Sequence, residues 1–271
     1  MEDRSRSFLS PIDSQIRAEW PGLRVRKQRT IPLRQILAAW IGEPAPGNNA
    51  LQGGPALWLA CGPRGGGKSS FLRTAALELA LQFPPDRLRL AGIDPEGREL
   101  AVLESLPHMH LDLATNMSHA ESILEWLAEE AAWRLEHGVR HPAIVLLAEV
   151  KAGRTAADGP SGWGRLGQAL AHGAQVGLHA ILSWDGVPWG PEGDERFGYR
   201  VPAGVALPAT PERPARVWDI RQGEGRLRAS VPWFGVWDLD AAAREIRRQH
   251  LCAWGQRSRP VSIGTWIGGV K

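Results

Sequence analysis

Gly62-Pro63-Arg64-Gly65-Gly66-Gly67-Lys68-Ser69 follows the G-x-x-x-x-G-K-[ST] pattern of a phosphate-binding loop. Its glycines let backbone N–H groups turn toward phosphate oxygens. Lys68 is placed to reach the β- and γ-phosphates, and the Ser69 hydroxyl to sit on Mg²⁺. Outward from the loop, residues 56–61 (ALWLAC) form a short apolar run suited to a buried strand. On the other side Phe71, Leu72, Ala75, Leu79 and Ala80 recur at helical spacing. Strand, glycine loop and helix is the context the loop needs, because a helix N-terminus lends positive potential to phosphates. The expected nucleotide-contacting set runs from Gly62 through Ser69 and includes Ser70, with ATP and Mg²⁺ as ligands.

The chain has 271 residues, 43% of them hydrophobic, enough for one large α/β domain with a sizeable core. No run of about 18 apolar residues is present, and the start Met1-Glu2-Asp3-Arg4 lacks an apolar leader, so no membrane insertion and a cytoplasmic setting are expected. Two cysteines, Cys61 and Cys252, make no disulfide framework. A net charge of +3 permits nucleic-acid binding without demanding it. Thirteen tryptophans against one tyrosine suit cores and interfaces, with base stacking as the alternative.

Residues 1–53 are expected to be an appendage or linker, with a basic cluster at Arg24, Arg26, Lys27 and Arg29 and a short helix over 33–41. Residues 54–250 form the expected domain, and 251–271 a tail. Within that domain strand and helix patterns alternate. Strands are expected over 88–93, 143–147 and 178–184, and helices over 118–136 and 164–175. A late antiparallel pair is expected over 215–220 and 227–231, turning at Gly223-Glu224-Gly225, and a last helix over 239–250.

A working ATPase of this kind carries an acidic pair at the end of a second apolar strand. The first carboxylate supports Mg²⁺ and the second polarises the attacking water. The segment Ile144-Val145-Leu146-Leu147-Ala148-Glu149 is the candidate, with Glu149 as the catalytic acid beside Lys68 and Ala148 where the metal-supporting Asp belongs.

Residues 57–71 (LWLACGPRGGGKSSF) and 88–99 (LRLAGIDPEGRE) resemble the FtsK/SpoIIIE branch of the HerA–FtsK superfamily. Leu106-Pro107-His108 is similar to that family's Pro-His element, and residues 170–182 (LAHGAQVGLHAIL) to its Gly-x-His segment. The resemblance implies a RecA-like P-loop NTPase: a mostly parallel sheet flanked by helices, with a small antiparallel addition near the C-terminus. It also implies ring-shaped homo-oligomers that pump double-stranded DNA. A sister branch, the EccC-like secretion ATPases, moves proteins instead, and residues 71–74 and 84–88 look closer to it.

Three positions depart from the family pattern. Ala148 lacks the metal-supporting carboxylate, Glu96 reverses the charge of the usual Lys, and Ser183-Trp184-Asp185 stands in place of a Thr-Gln sensor. Trp184 cannot accept a hydrogen bond to orient water. Asp94 is a substitute metal ligand only if its strand reaches the loop, which is not expected. His108, His110 and Asp112 have metal-like spacing but are read as incidental. Arg213, Arg216, Arg221, Arg226 and Arg228 are read as a solvated face, with DNA phosphates or a neighbouring nucleotide as the alternative. Three readings follow: a DNA-associated motor-type domain with weakened hydrolysis, a non-hydrolysing subunit organising a larger complex, and an EccC-like export ATPase domain.

Overall fold

The computed structural model describes residues 30–42, 56–62, 67–150, 162–185, 203–206, 217–222, 225–231 and 236–254. In chain order these form β1 (Thr30–Pro32), α1 (Leu33–Trp40), β2 (Leu57–Gly62), α2 (Lys68–Gln82) and β3 (Leu88–Ile93). A 3₁₀ turn (Ala101–Ser105), α3 (Met117–His137), β4 (Ala143–Val150), α4 (Gly162–Ala171), α5 (Gly173–Val176) and β5 (Leu178–Asp185) follow. Last come β6 (Ala203–Ala206), β7 (Val217–Gln222), β8 (Gly225–Ser230) and α6 (Val236–Trp254).

The strands make one sheet in the order β1-β8-β7-β6-β2-β5-β4-β3. From β6 to β3 every pairing is parallel, while β6–β7 and β7–β8 are antiparallel. This is the expected α/β architecture, a parallel sheet flanked by helices with an antiparallel addition near the C-terminus.

Both faces are covered, which is why the central strands read as unbroken apolar runs. Along β4, Val145 and Leu147 join a core with α1, α2 and α6, whereas Ile144, Leu146 and Ala148 join the opposite core with α3, α4 and α5. The period-2 alternation of a strand therefore assigns each residue to one face.

Residues 30–42 differ from the expected appendage. β1 pairs in parallel with β8, and Leu33, Ile36, Leu37 and Trp40 are buried in the same core as α2. Trp40 stacks on Trp58 of β2 at 4.5 Å and meets His179 of β5 edge-on at 4.8 Å. These tryptophans serve the core.

The helix expected over 164–175 is broken in two. A Cβ on Gly173 would lie 2.4 Å from the Leu178 carbonyl and 2.6 Å from Ala56, so the chain approaches the sheet too closely there for a continuous regular helix. α3 has clear stops: Asn116 accepts a hydrogen bond from the His119 amide at 2.9 Å, and Gly138 closes the far end at φ +64°. Among the described residues no helix is long and apolar enough to cross a membrane.

Candidate functional site

Parallel α/β sheets bind ligands beyond the carboxyl ends of their strands. There β2 ends at Gly62, and α2 begins at Lys68. Pro63, Arg64, Gly65 and Gly66 lie outside the described residues. Gly67 caps α2 at φ +81°, in the left-handed region that favours glycine, and its carbonyl accepts the Phe71 amide at 2.9 Å. Lys68 is buried, and Ser69 and Ser70 are half-buried in the first turn. The Ser70 hydroxyl accepts a bond from Arg73 at 3.1 Å, and Arg73 also bonds the Glu99 carbonyl and carboxylate.

Glu149 sits on the last turn of the β4 pleat, buried at 7% exposure. Alternation from Val145 and Leu147 directs it to the face that carries α2. Ser183 of β5 is its register partner and donates to Glu149 Oε2 at 2.6 Å. The same hydroxyl accepts the Val150 amide at 3.1 Å. Burial pushes the Glu149 carboxyl above its ordinary range. The Ser183 and Ser69 hydroxyls pull it back, and the charges of Glu99 and Asp94 push it up again. Glu149 Oε1 is buried and has no hydrogen-bond partner.

The structure thus joins Ser69 and Glu149 and separates Ala148 from both. Ala148 is fully buried in the core on the other face, packed with residues of α3 and α4. The Ala148 side chain points away from the loop serine, into the face that carries α3 and α4. Glu149 stands beside Ser69 instead, and the next residue is Val150, half-buried against the opposite core.

Asp94 lies two strands from β5 and three from β2. Its Oδ2 accepts the Glu99 and Leu100 amides at 2.6 and 2.9 Å, closing the turn after β3. It is occupied with that turn, although its charge is felt at Glu149.

His108 and His110 face opposite ways. The His108 ring meets the Phe83 carbonyl at 2.7 Å and His250 edge-on, while His110 packs on Trp126 of α3 beside Arg89. Among the described residues no group of three His, Cys, Asp or Glu is placed to hold a metal. Arg213 and Arg216 lie outside the described residues, and Arg221 and Arg226 are register partners across the β7–β8 hairpin.

The bond between Ser183 and Glu149 had no counterpart in the sequence reading. The signal for it in the sequence is a hydroxyl breaking a buried apolar strand two positions short of the strand's end.

A hydroxyl and an unpartnered carboxylate oxygen are hard donors of the kind Mg²⁺ prefers, so the described residues fit a magnesium nucleotide. Residues 42–144 match the FtsK/SpoIIIE family. The chain is 32% identical over 118 residues to the DNA translocase FtsK of Azospirillum brasilense, covering 38% of this chain and 19% of that protein. EssC (ATPases 2 and 3) from Geobacillus thermodenitrificans superposes with a TM-score of 0.61 at 16% identity, over 77% of this chain and 46% of that one. The pCW3 conjugation coupling protein TcpA, solved with ATPγS, superposes with a TM-score of 0.52 at 15% identity, over 73% and 66%. The chain spans less than a fifth of its curated relative's length, and these two structures share its fold. It contains a P-loop ATPase domain of the FtsK/SpoIIIE type.

Proposed function

We propose that this domain binds ATP with Mg²⁺ at the carboxyl edge of its sheet and acts as a motor-type subunit associated with double-stranded DNA, with weakened hydrolysis. Gly62 through Ser70 hold the phosphates, and Lys68 balances their charge. Ser69 and Glu149 hold the metal, which when bound neutralises charge developing between the β- and γ-phosphates. One observation carries the reading of weak hydrolysis: Glu149 faces Ser69, and both its neighbours, Ala148 and Val150, are uncharged. With one such acid among the described residues, the domain keeps its metal and lacks a group to polarise water. Association with DNA rests on likeness to a DNA translocase. Assembly as a cytoplasmic homo-oligomeric ring, or within a larger complex, would supply the missing group from a neighbour. The working unit runs from β1 to α6, with residues 1–29 and the tail after 254 as flanks.

The test is ATP binding and steady-state hydrolysis by the full chain, with and without double-stranded DNA, against Lys68→Ala. Tight binding lost in the variant, with slow DNA-stimulated turnover, is the expected result. Absence of nucleotide binding would sink the proposal. Binding without turnover under any condition would favour the non-hydrolysing organiser instead, a reading that Val150 also supports.

A further inference from the structure

Ser183 interrupts a strand whose neighbours Ala180, Ile181 and Leu182 are fully buried, and it is itself only 2% exposed. A hydroxyl there needs a purpose, since burying one without partners costs stability. Its single donor is committed. One lone pair takes the Val150 amide at 3.1 Å, and its single hydrogen goes to Glu149 Oε2 at 2.6 Å. Two strands in register hold the donor and the acceptor, so the carboxylate cannot turn freely. Oε2 is tied to β5, and Oε1 stays buried without a partner on a carboxyl that the Ser69 hydroxyl also influences.

Asp94 offers an instructive contrast. It also has one partnered and one orphan oxygen, but its partners are the amides of its own turn. Glu149 is instead set by a side chain from a different strand.

We propose that Ser183 is a positioning residue: it pins Glu149 Oε2 so that Oε1 is presented to the metal on the Ser69 side. The proposal rests on the nucleotide-binding reading above and deepens it. It goes further in assigning to position 183 the control of the carboxylate that faces Ser69.

The test uses the full chain and Mn²⁺ as the probe, with free Mn²⁺ counted by electron paramagnetic resonance in the presence of a non-hydrolysable ATP analogue. Ser183→Ala is expected to weaken Mn²⁺ binding about ten- to one-hundred-fold, as loss of a partner that orients a ligand does. Metal-free binding of the analogue should be unchanged, which a merely structural role would not spare. In the Glu149→Gln background the same substitution should add nothing. Full Mn²⁺ affinity in Ser183→Ala, or a loss that adds to that of Glu149→Gln, overturns the proposal. If the wild-type chain binds no analogue, the nucleotide reading falls, and a crystal structure of Ser183→Ala without nucleotide decides the positioning. A Glu149 carboxylate that leaves its wild-type orientation supports the role of Ser183, and one that stays fixed overturns it.

Discussion

Arg134 is the most informative position for testing how the sheet is held. Its side chain is 2% exposed, and its Nη1 faces three carbonyls: Pro142 at 2.7 Å, Val176 at 3.0 Å and Arg140 at 3.3 Å. Its Nε donates to Glu130 Oε1 at 2.7 Å. The guanidinium therefore ties the end of α3 to the entry of β4 and to the end of α5. Nη1 carries two hydrogens for three acceptors, so two full bonds is the fair count. At about 1.5–2 kcal/mol for each bond to a charged group, these contribute about 3–4 kcal/mol. Glu130 is 21% exposed and can turn to water, so its loss adds little. Arg134→Met keeps most of the volume and removes the donors, and the expected cost is about 3 kcal/mol. For a chain of this size that lowers Tm by about 6–12 °C. Arg134→Lys keeps a charge without the fork and should lose about half as much. Urea unfolding at pH 7, followed by tryptophan fluorescence, measures both through the midpoint at constant slope. An Arg134→Met protein within about 1 kcal/mol of wild type would show that these bonds do not hold the elements together.

Burial lowers the imidazole pKa to about 3 at His179 and to about 4 at His108 and His110. The unfolded chain, with histidines near 6.5, then binds more protons between about pH 6.5 and 4, so stability is intact above that window and lost as pH falls through it. Each fully buried histidine contributes a slope of up to about 1.4 kcal/mol per pH unit, His110 less because it is part-exposed, and His179→Gln should remove about one proton from the slope between pH 5 and 6. Unfolding free energies flat over pH 5–7 would contradict this. Gly177→Ala should cost about 2–4 kcal/mol, because φ is +68° and a Cβ would meet the Arg140 carbonyl at 2.1 Å. Gly138→Ala, at φ +64° but with open space, should cost only about 1 kcal/mol, and equal costs in thermal melts would refute the packing argument. Ala148→Asp buries a carboxylate in the face away from α2 and should lose about 3 kcal/mol or more without gaining turnover. ATP turnover gained by Ala148→Asp, read in the steady-state assay, would instead place position 148 at the metal.

Strong local signals carried the central part of the fold. The apolar runs of β3 and β5 and the 3.6-residue period of α3 each stand on several consecutive residues, and each matches an element within a few positions. β1 and β6 have three and four residues, too few to show a period, and only pairing with β8 and β2 defines them. The break between α4 and α5 comes from a close approach of Gly173 to the sheet, a tertiary fact invisible in a helical pattern. At the site, Lys68, Ser69 and Glu149 were legible as residue types. Which face Glu149 occupies was not, because a one-residue shift of register exchanges the two faces of a strand. The tie to Ser183 joins residues 34 positions apart and follows from strand order alone.

The early placement of β1 and α1 bears on how this domain should be cut. The family match starts at residue 42, yet the core starts at Leu33. A fragment whose N-terminal side is trimmed to the start of that match, with the rest of the chain kept, would lose the partner of β8 and leave an unpaired strand edge. It would also uncover Trp58 and the apolar flank of α2, both now shielded by Trp40 and its helix. Such a fragment carries every phosphate-binding residue and a built-in route to aggregation, so an inactive preparation of it would report on the cut and not on the chemistry.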